Sequence, residues 1–103
     1  MNRIENELIT AMEECAEIQK EISKALRFGL NNHHPDQPDF SNAENIILEY
    51  IQLKAVIEKL QADQVLPTYD VYTEKALKME KLNKMMRYQT VSKEYNCLKE
   101  ETK

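Results

Sequence analysis

A single glycine stands in the whole chain, at position 29. One glycine cannot build either common glycine-rich phosphate loop, so P-loop and dinucleotide-fold readings are excluded. With only three prolines as well, the chain has few breaks and should form long uninterrupted elements. The two cysteines, Cys15 and Cys97, are far apart and lack metal-ligand spacing. They read as reduced, partly buried small hydrophobes. The two histidines, His33 and His34, are adjacent. They lack the i, i+4 spacing of a helical metal pair, and they supply no Ser–His–acid set. No apolar run approaches the roughly 20 residues of a membrane-spanning helix. Met1-Asn2-Arg3-Ile4-Glu5 runs into charged helix without a signal-peptide apolar region, so a cytoplasmic protein with no membrane partner is expected.

An excess of positive charge is missing too. Fourteen Lys and Arg face eighteen Asp and Glu, for a formal charge of -4. That balance disfavours nonspecific binding to nucleic acid polymers or anionic membranes. It leaves room for an anionic ligand held locally with a metal. What is present, 31% charged and 42% hydrophobic residues, suits a soluble, folded, helix-rich protein. A chain of 103 residues reads as one domain, 1–103, with a modest core, and oligomerisation is expected to complete it.

Helical spacing organises most of the sequence. Ile4, Leu8, Ala11, Cys15, Ile18, Ile22 and Ala25–Leu26 recur on one side of a helix predicted over 3–28, and Gly29 sits where a helix C-cap glycine belongs. Glu14, Glu17, Glu21 and Lys24 form a ridge along the edge of that stripe; such a ridge is ordinary on a solvated helix. Residues 29–42 are a loop rich in turn formers, and Ser41 or Asn42 can cap the next helix.

The second helix, over 43–62, is apolar around most of its circumference, from Ile46 through Leu60. It should be buried on most sides. Glu49 falls inside its apolar sector with Gln52 beside it. Burying an unpaired carboxylate costs several kcal/mol or forces its protonation, so Glu49 needs a partner: a cation, a metal, or a basic side chain such as Lys75.

A third helix is predicted over 69–88, with Val71, Tyr72, Met79, Leu82, Met85 and Met86 on one stripe and Lys75 projecting into it. Lys75, Lys78, Lys81, Lys84 and Arg87 make it basic. From Thr90, Val91, Tyr95 and Leu98 keep i, i+4, i+7 spacing, so a weaker fourth helix is expected to about Lys99. The fold class is therefore an all-α bundle of three main helices plus a short C-terminal one.

Two pairs carry the chemistry. Glu14 and Glu17, and Glu49 and Gln52, each have i, i+3 spacing, which puts both members on one helix face. Helix packing can gather these four oxygen-bearing side chains around one point, as a hard divalent cation requires.

The run Met12-Glu13-Glu14-Cys15-Ala16-Glu17, followed by Ser23-Lys24-Ala25-Leu26-Arg27-Phe28-Gly29, resembles the MazG-like all-α nucleoside triphosphate pyrophosphohydrolases, the small phage-type members above all. The family carries E-E-x-x-E on one helix and E-x-x-D on the next. Glu13-Glu14-Cys15-Ala16-Glu17 matches the first motif, and Glu49-Tyr50-Ile51-Gln52 matches the second except at its last position. Lys84-Met85-Met86-Arg87-Tyr88 is similar to the K-x-x-R-Y segment of the phage-type members. The resemblance covers about Leu8 to Tyr88.

It implies that Glu14, Glu17 and Glu49 bind magnesium and serve catalysis, with manganese as a substitute and Gln52 at the last ligand position; Glu13 is less clearly a ligand. It also implies hydrolysis of a nucleoside triphosphate to the monophosphate and pyrophosphate by a homodimer or homotetramer. Lys24, Lys75, Arg87 and Tyr88 are the candidates for phosphate or base contacts. Gln52 is the departure, because an amide brings no negative charge. Beside the enzyme stand two other readings: a relative that binds a nucleotide without cutting it, and a structural or regulatory helical dimer.

Overall fold

The computed structural model describes residues 1–33, 35–36 and 38–95. These are helical, with three α-helices and no strand among the described residues. The chain divides into two compact units, Met1–Pro67 and Thr68–Lys103.

The first unit is a helical hairpin. Helix α1, Arg3–Phe28, starts where Asn2 accepts the Glu5 amide at 2.8 Å, which satisfies one orphan N–H of the first turn. It ends at Gly29, whose φ of 94° is a conformation that side chains rarely adopt. The Gly29 amide still reaches the Ala25 carbonyl at 2.8 Å. A Cβ on Gly29 would meet nothing within 4 Å, so backbone conformation, not space, is what requires glycine there.

Helix α2, Asn42–Ala62, opens on a complete capping box. Ser41 Oγ accepts the Glu44 amide at 3.1 Å, and Glu44 accepts the Ser41 amide at 3.2 Å. The loop between the helices is tied to this start. Asn42 N donates to Asn32 O at 2.7 Å, Ala43 N to Leu30 O at 2.9 Å, and the buried Asn42 amide to Gly29 O at 2.9 Å. At the far end, Leu60 O accepts from both Val65 N (2.9 Å) and Leu66 N (3.3 Å) around Gln64, which sits at φ 61°.

α1 and α2 pack against each other in an antiparallel register. Lys59 follows Gln52 by two turns, just as Glu7 precedes Glu14 by two turns; Lys59 pairs with Glu7 at 3.8 Å, and Gln52 meets Glu14. The seam holds Ala11, Ala25 and the fully buried Leu60. At 100° per residue, the line of buried Ala11, Glu21 and Ala25 with half-buried Glu14 and Ile18 is rotated by about 75° from the stripe of Ile4, Leu8, Cys15 and Ile22, which stays exposed. Cys15 is therefore an exposed free thiol, not the partly buried hydrophobe expected. Cys97 lies outside the described residues.

α2 also departs from expectation. Ile47, Leu48, Tyr50 and Ile51 are exposed, and only Asn42 and Leu60 are buried. Within a two-helix unit, α2 has one neighbour and can cover only the strip that faces it, whatever its composition.

The second unit carries α3, Val71–Glu94. Asp70 caps it, accepting from Thr73 N at 2.7 Å and Thr73 Oγ1 at 3.2 Å, so the helix begins two residues later than the spacing predicts. It also runs on through 88–90, because Tyr88-Gln89-Thr90-Val91 contains no breaker. Thr90–Glu94 is thus a continuation of α3 and not a separate element; 96–99 lie outside the described residues. α3 buries none of its residues.

Candidate functional site: a carboxylate seam between α1 and α2

The antiparallel register places the two predicted pairs face to face. With its amide oriented to suit its neighbours, Gln52 donates to Glu14 Oε2 and to Glu49 Oε2, each at 3.2 Å. The Glu49 carboxyl also lies within hydrogen-bond reach of the Glu14 carboxyl. The Glu49 carboxyl is held above its ordinary value, first by loss of solvent, then by the Glu14 hydrogen bond and the charges of Glu14, Glu17 and Glu21. Two carboxyl groups in contact cannot both ionise cheaply: they need a shared proton or a cation. Within Met1–Pro67, no described Lys or Arg pairs with Glu49; Lys75 belongs to the other unit.

Beside this contact lies a cavity of about 640 Å³. Glu17, Glu21, Glu49 and Gln52 line it from the helices, and Asp36, Asp39 and Phe40 from the loop. Lys20 and Lys24 complete its wall. Lys24 Nζ lies 3.3 Å from Glu21 Oε1, while Glu21 Oε2 is buried with no hydrogen-bond partner. Glu7 Oε2, two turns from Glu14 along the seam, is orphaned in the same way.

The structure thus brings Glu14, Glu49 and Gln52 into direct contact and puts Glu17 and Lys24 on the cavity that adjoins them. Among the described residues, no three His, Cys, Asp or Glu side chains close on a single point as a cation cage. Glu13 is exposed on α1. Lys75, Arg87 and Tyr88 are exposed on α3, in the other unit, where Lys84, Arg87, Tyr88 and Val91 line a cleft of about 250 Å³.

The residues least visible in the sequence are Glu21 and the loop pair Asp36 and Asp39. Glu21 reads as a member of a solvated ridge; its burial follows from the rotated seam. One signal was available, since Glu21 follows Glu17 by four residues and precedes Lys24 by three, which stacks all three on one face.

The lining is rich in the oxygen donors that hard divalent cations prefer. Five of the cavity's lining side chains are carboxylates against two ammoniums, one of the five, Glu49, meets a sixth carboxyl, Glu14, and a buried oxygen of Glu21 lacks a donor. Compared with family models, curated proteins and solved structures, the chain finds no match.

Proposed function

We propose that the chain is a magnesium-dependent nucleoside triphosphate pyrophosphohydrolase of the MazG-like kind, releasing a nucleoside monophosphate and pyrophosphate. The observation that supports it most is the meeting of Glu14 and Glu49 across two helices, beside a cavity that also presents Glu17 and Lys24. In this reading Glu14, Glu17 and Glu49 hold the cation, and Lys24 offers its ammonium to a phosphate oxygen at the cavity wall. A bound magnesium or manganese ion supplies charge neutralisation and an acidified water.

A homodimer or homotetramer is part of the same proposal. Ile47, Leu48 and Ile51 on α2 and Ile4, Leu8 and Ile22 on α1 are exposed within the chain, and a second copy is the partner that would cover them. Lys75, Arg87 and Tyr88 on α3 are the remaining candidates for nucleotide contacts in this reading.

One observation favours a second reading, a relative that binds a nucleotide without cutting it. Gln52 turns its NH₂, not a ligating oxygen, toward Glu14 and Glu49, and so fills part of the role of a cation. The test is magnesium-dependent release of pyrophosphate from a panel of ribo- and deoxyribonucleoside triphosphates, run beside nucleotide binding. Turnover abolished by Glu49→Ala supports the enzyme. Tight binding without turnover supports the second reading, and neither result leaves a structural or regulatory helical dimer.

A further inference from the structure

Helix α3 buries none of its residues, although most helical stability in proteins comes from packing an apolar face. Its side chains are nevertheless sorted by chemistry. At 100° per residue, Met79, Leu82, Met85 and Met86 share an exposed strip about 120° wide. The charged residues on that strip are Lys75, Lys78 and Lys93, and none of its members is acidic. Two such strips would set lysine against lysine, so the face does not suit a second α3.

The outward face of α2 is its complement. Ile47, Leu48, Ile51 and Ala55 lie on an exposed strip turned away from α1, and the charged residues on it are Glu44 and Glu58. The spacing agrees as well: Glu44 and Glu58 stand about 21 Å apart along α2, and Lys78 and Lys93 about 22 Å apart along α3. Each strip is an apolar centre with one sign of charge at both ends, and the two signs are opposite. The wider charge balance runs the same way. Residues 1–67 hold twelve Asp and Glu against six Lys and Arg, whereas α3 holds six Lys and Arg against three Glu. A cleft of about 400 Å³, lined by Phe40, Ala43, Glu44, Ile47 and Leu48, opens at the Glu44 end and gives a partner's side chains a recess to enter.

We propose that the outward strip of α2 is the docking surface for α3 of a second copy of this chain. The two helices run antiparallel, with Glu44 meeting Lys93 of the partner subunit and Glu58 meeting Lys78 of the partner subunit. That sense sets the N-terminus of α2 beside the C-terminus of the partner's α3, where the helix dipoles attract. A two-fold dimer makes the contact twice. The proposal rests on the second-copy reading given above and is independent of the nucleotide chemistry.

Sedimentation of the full chain measures the association. The wild type should be dimeric or larger at micromolar concentration. Ile51→Asp on α2 and Met86→Asp on α3 should each weaken it by about a hundredfold, because each buries a charge in both contacts. An equal mixture of these two variants should associate again in part, since one of its two contacts joins an unaltered α2 to an unaltered α3. Glu58→Lys and Lys78→Glu should each cost about tenfold, and the protein carrying both should return to within about threefold of the wild type. A monomeric wild type overturns the second-copy reading and this proposal with it; adsorption of that monomer to phosphatidylglycerol vesicles would assign the α3 face to a membrane surface instead. Association that Ile51→Asp breaks but Met86→Asp leaves intact, or a double charge variant no tighter than either single one, overturns this proposal alone.

Discussion

Glu14 on α1 and Glu49 on α2 meet within hydrogen-bond reach, and Gln52, with its amide oriented to suit them, donates to both. Like-charged groups in contact are stable only while a proton or a positive charge lies between them. Most of what the site is expected to do follows from that contact.

Stability without cations should fall as pH rises through the Glu49 titration. Its folded pKa is raised above the ordinary value of 4.5, so the fold favours the protonated form; the contribution is fully present below 4.5 and is lost as pH climbs through the folded value. Glu49→Gln keeps the shape and cannot ionise. The Tm difference between variant and wild type should be near zero at pH 4 and widen toward pH 7 in the variant's favour. A constant difference over that range would show that the Glu14–Glu49 contact does not persist in solution.

Gln52→Glu should exchange stability for cation affinity. It replaces two donated hydrogen bonds with a third negative charge, which should cost about 1 kcal/mol in the cation-free protein at this exposed position. Magnesium affinity should rise about tenfold, equivalent to about 1.4 kcal/mol. Calorimetric titration checks the affinity, and a Tm that falls without magnesium but recovers with it checks the mechanism. Unchanged affinity would mean that Gln52 does not face the cation.

Leu60→Ala removes the one large side chain with no exposure at all among the described residues of the hairpin. The expected loss is about 2–4 kcal/mol, enough to unfold a unit this small. Urea denaturation followed by helix content measures it, and a loss under 1 kcal/mol would place Leu60 outside the core.

Gln64→Gly should stabilise by about 0.5–1 kcal/mol. Gln64 sits at φ 61°, in the left-handed region where a side chain costs about 1–2 kcal/mol, offset in part by the added freedom of an unfolded glycine. A Tm increase in the full chain, with no change in cation binding, is the expected outcome.

The extent of α1 was legible because apolar residues recur at helical spacing with nothing to interrupt them and Gly29 closes the run. The start of α2 was legible to within a residue, since both Ser41 and Asn42 are capping types and the structure uses Ser41. The two pairs at i, i+3 spacing pointed to the Glu14–Glu49 meeting, which needs only an antiparallel hairpin. The rotation of the α1 seam was not legible. Hydrophobic periodicity locates an apolar stripe but not which flank of it a given partner takes, and α2 takes the acidic flank. That single angle buries Glu21, exposes Cys15 and leaves Ile4, Leu8 and Ile22 uncovered. The extent of α3 was misjudged for a different reason: a change in side-chain pattern near Thr90 is not a change in backbone, and nothing between Tyr88 and Val91 stops a helix.

The rotated seam makes α1 a helix with two independent ledgers. One flank carries the carboxylates of the proposed cation site, and the other carries the exposed Ile4, Leu8 and Ile22. Because the two sets face different neighbours, their perturbations should add: Leu8→Ala combined with Glu21→Gln should show a coupling energy under about 0.5 kcal/mol in a double-mutant cycle. If the proposed cation site and assembly hold, substitutions along one flank retune assembly while cation affinity stays where it was.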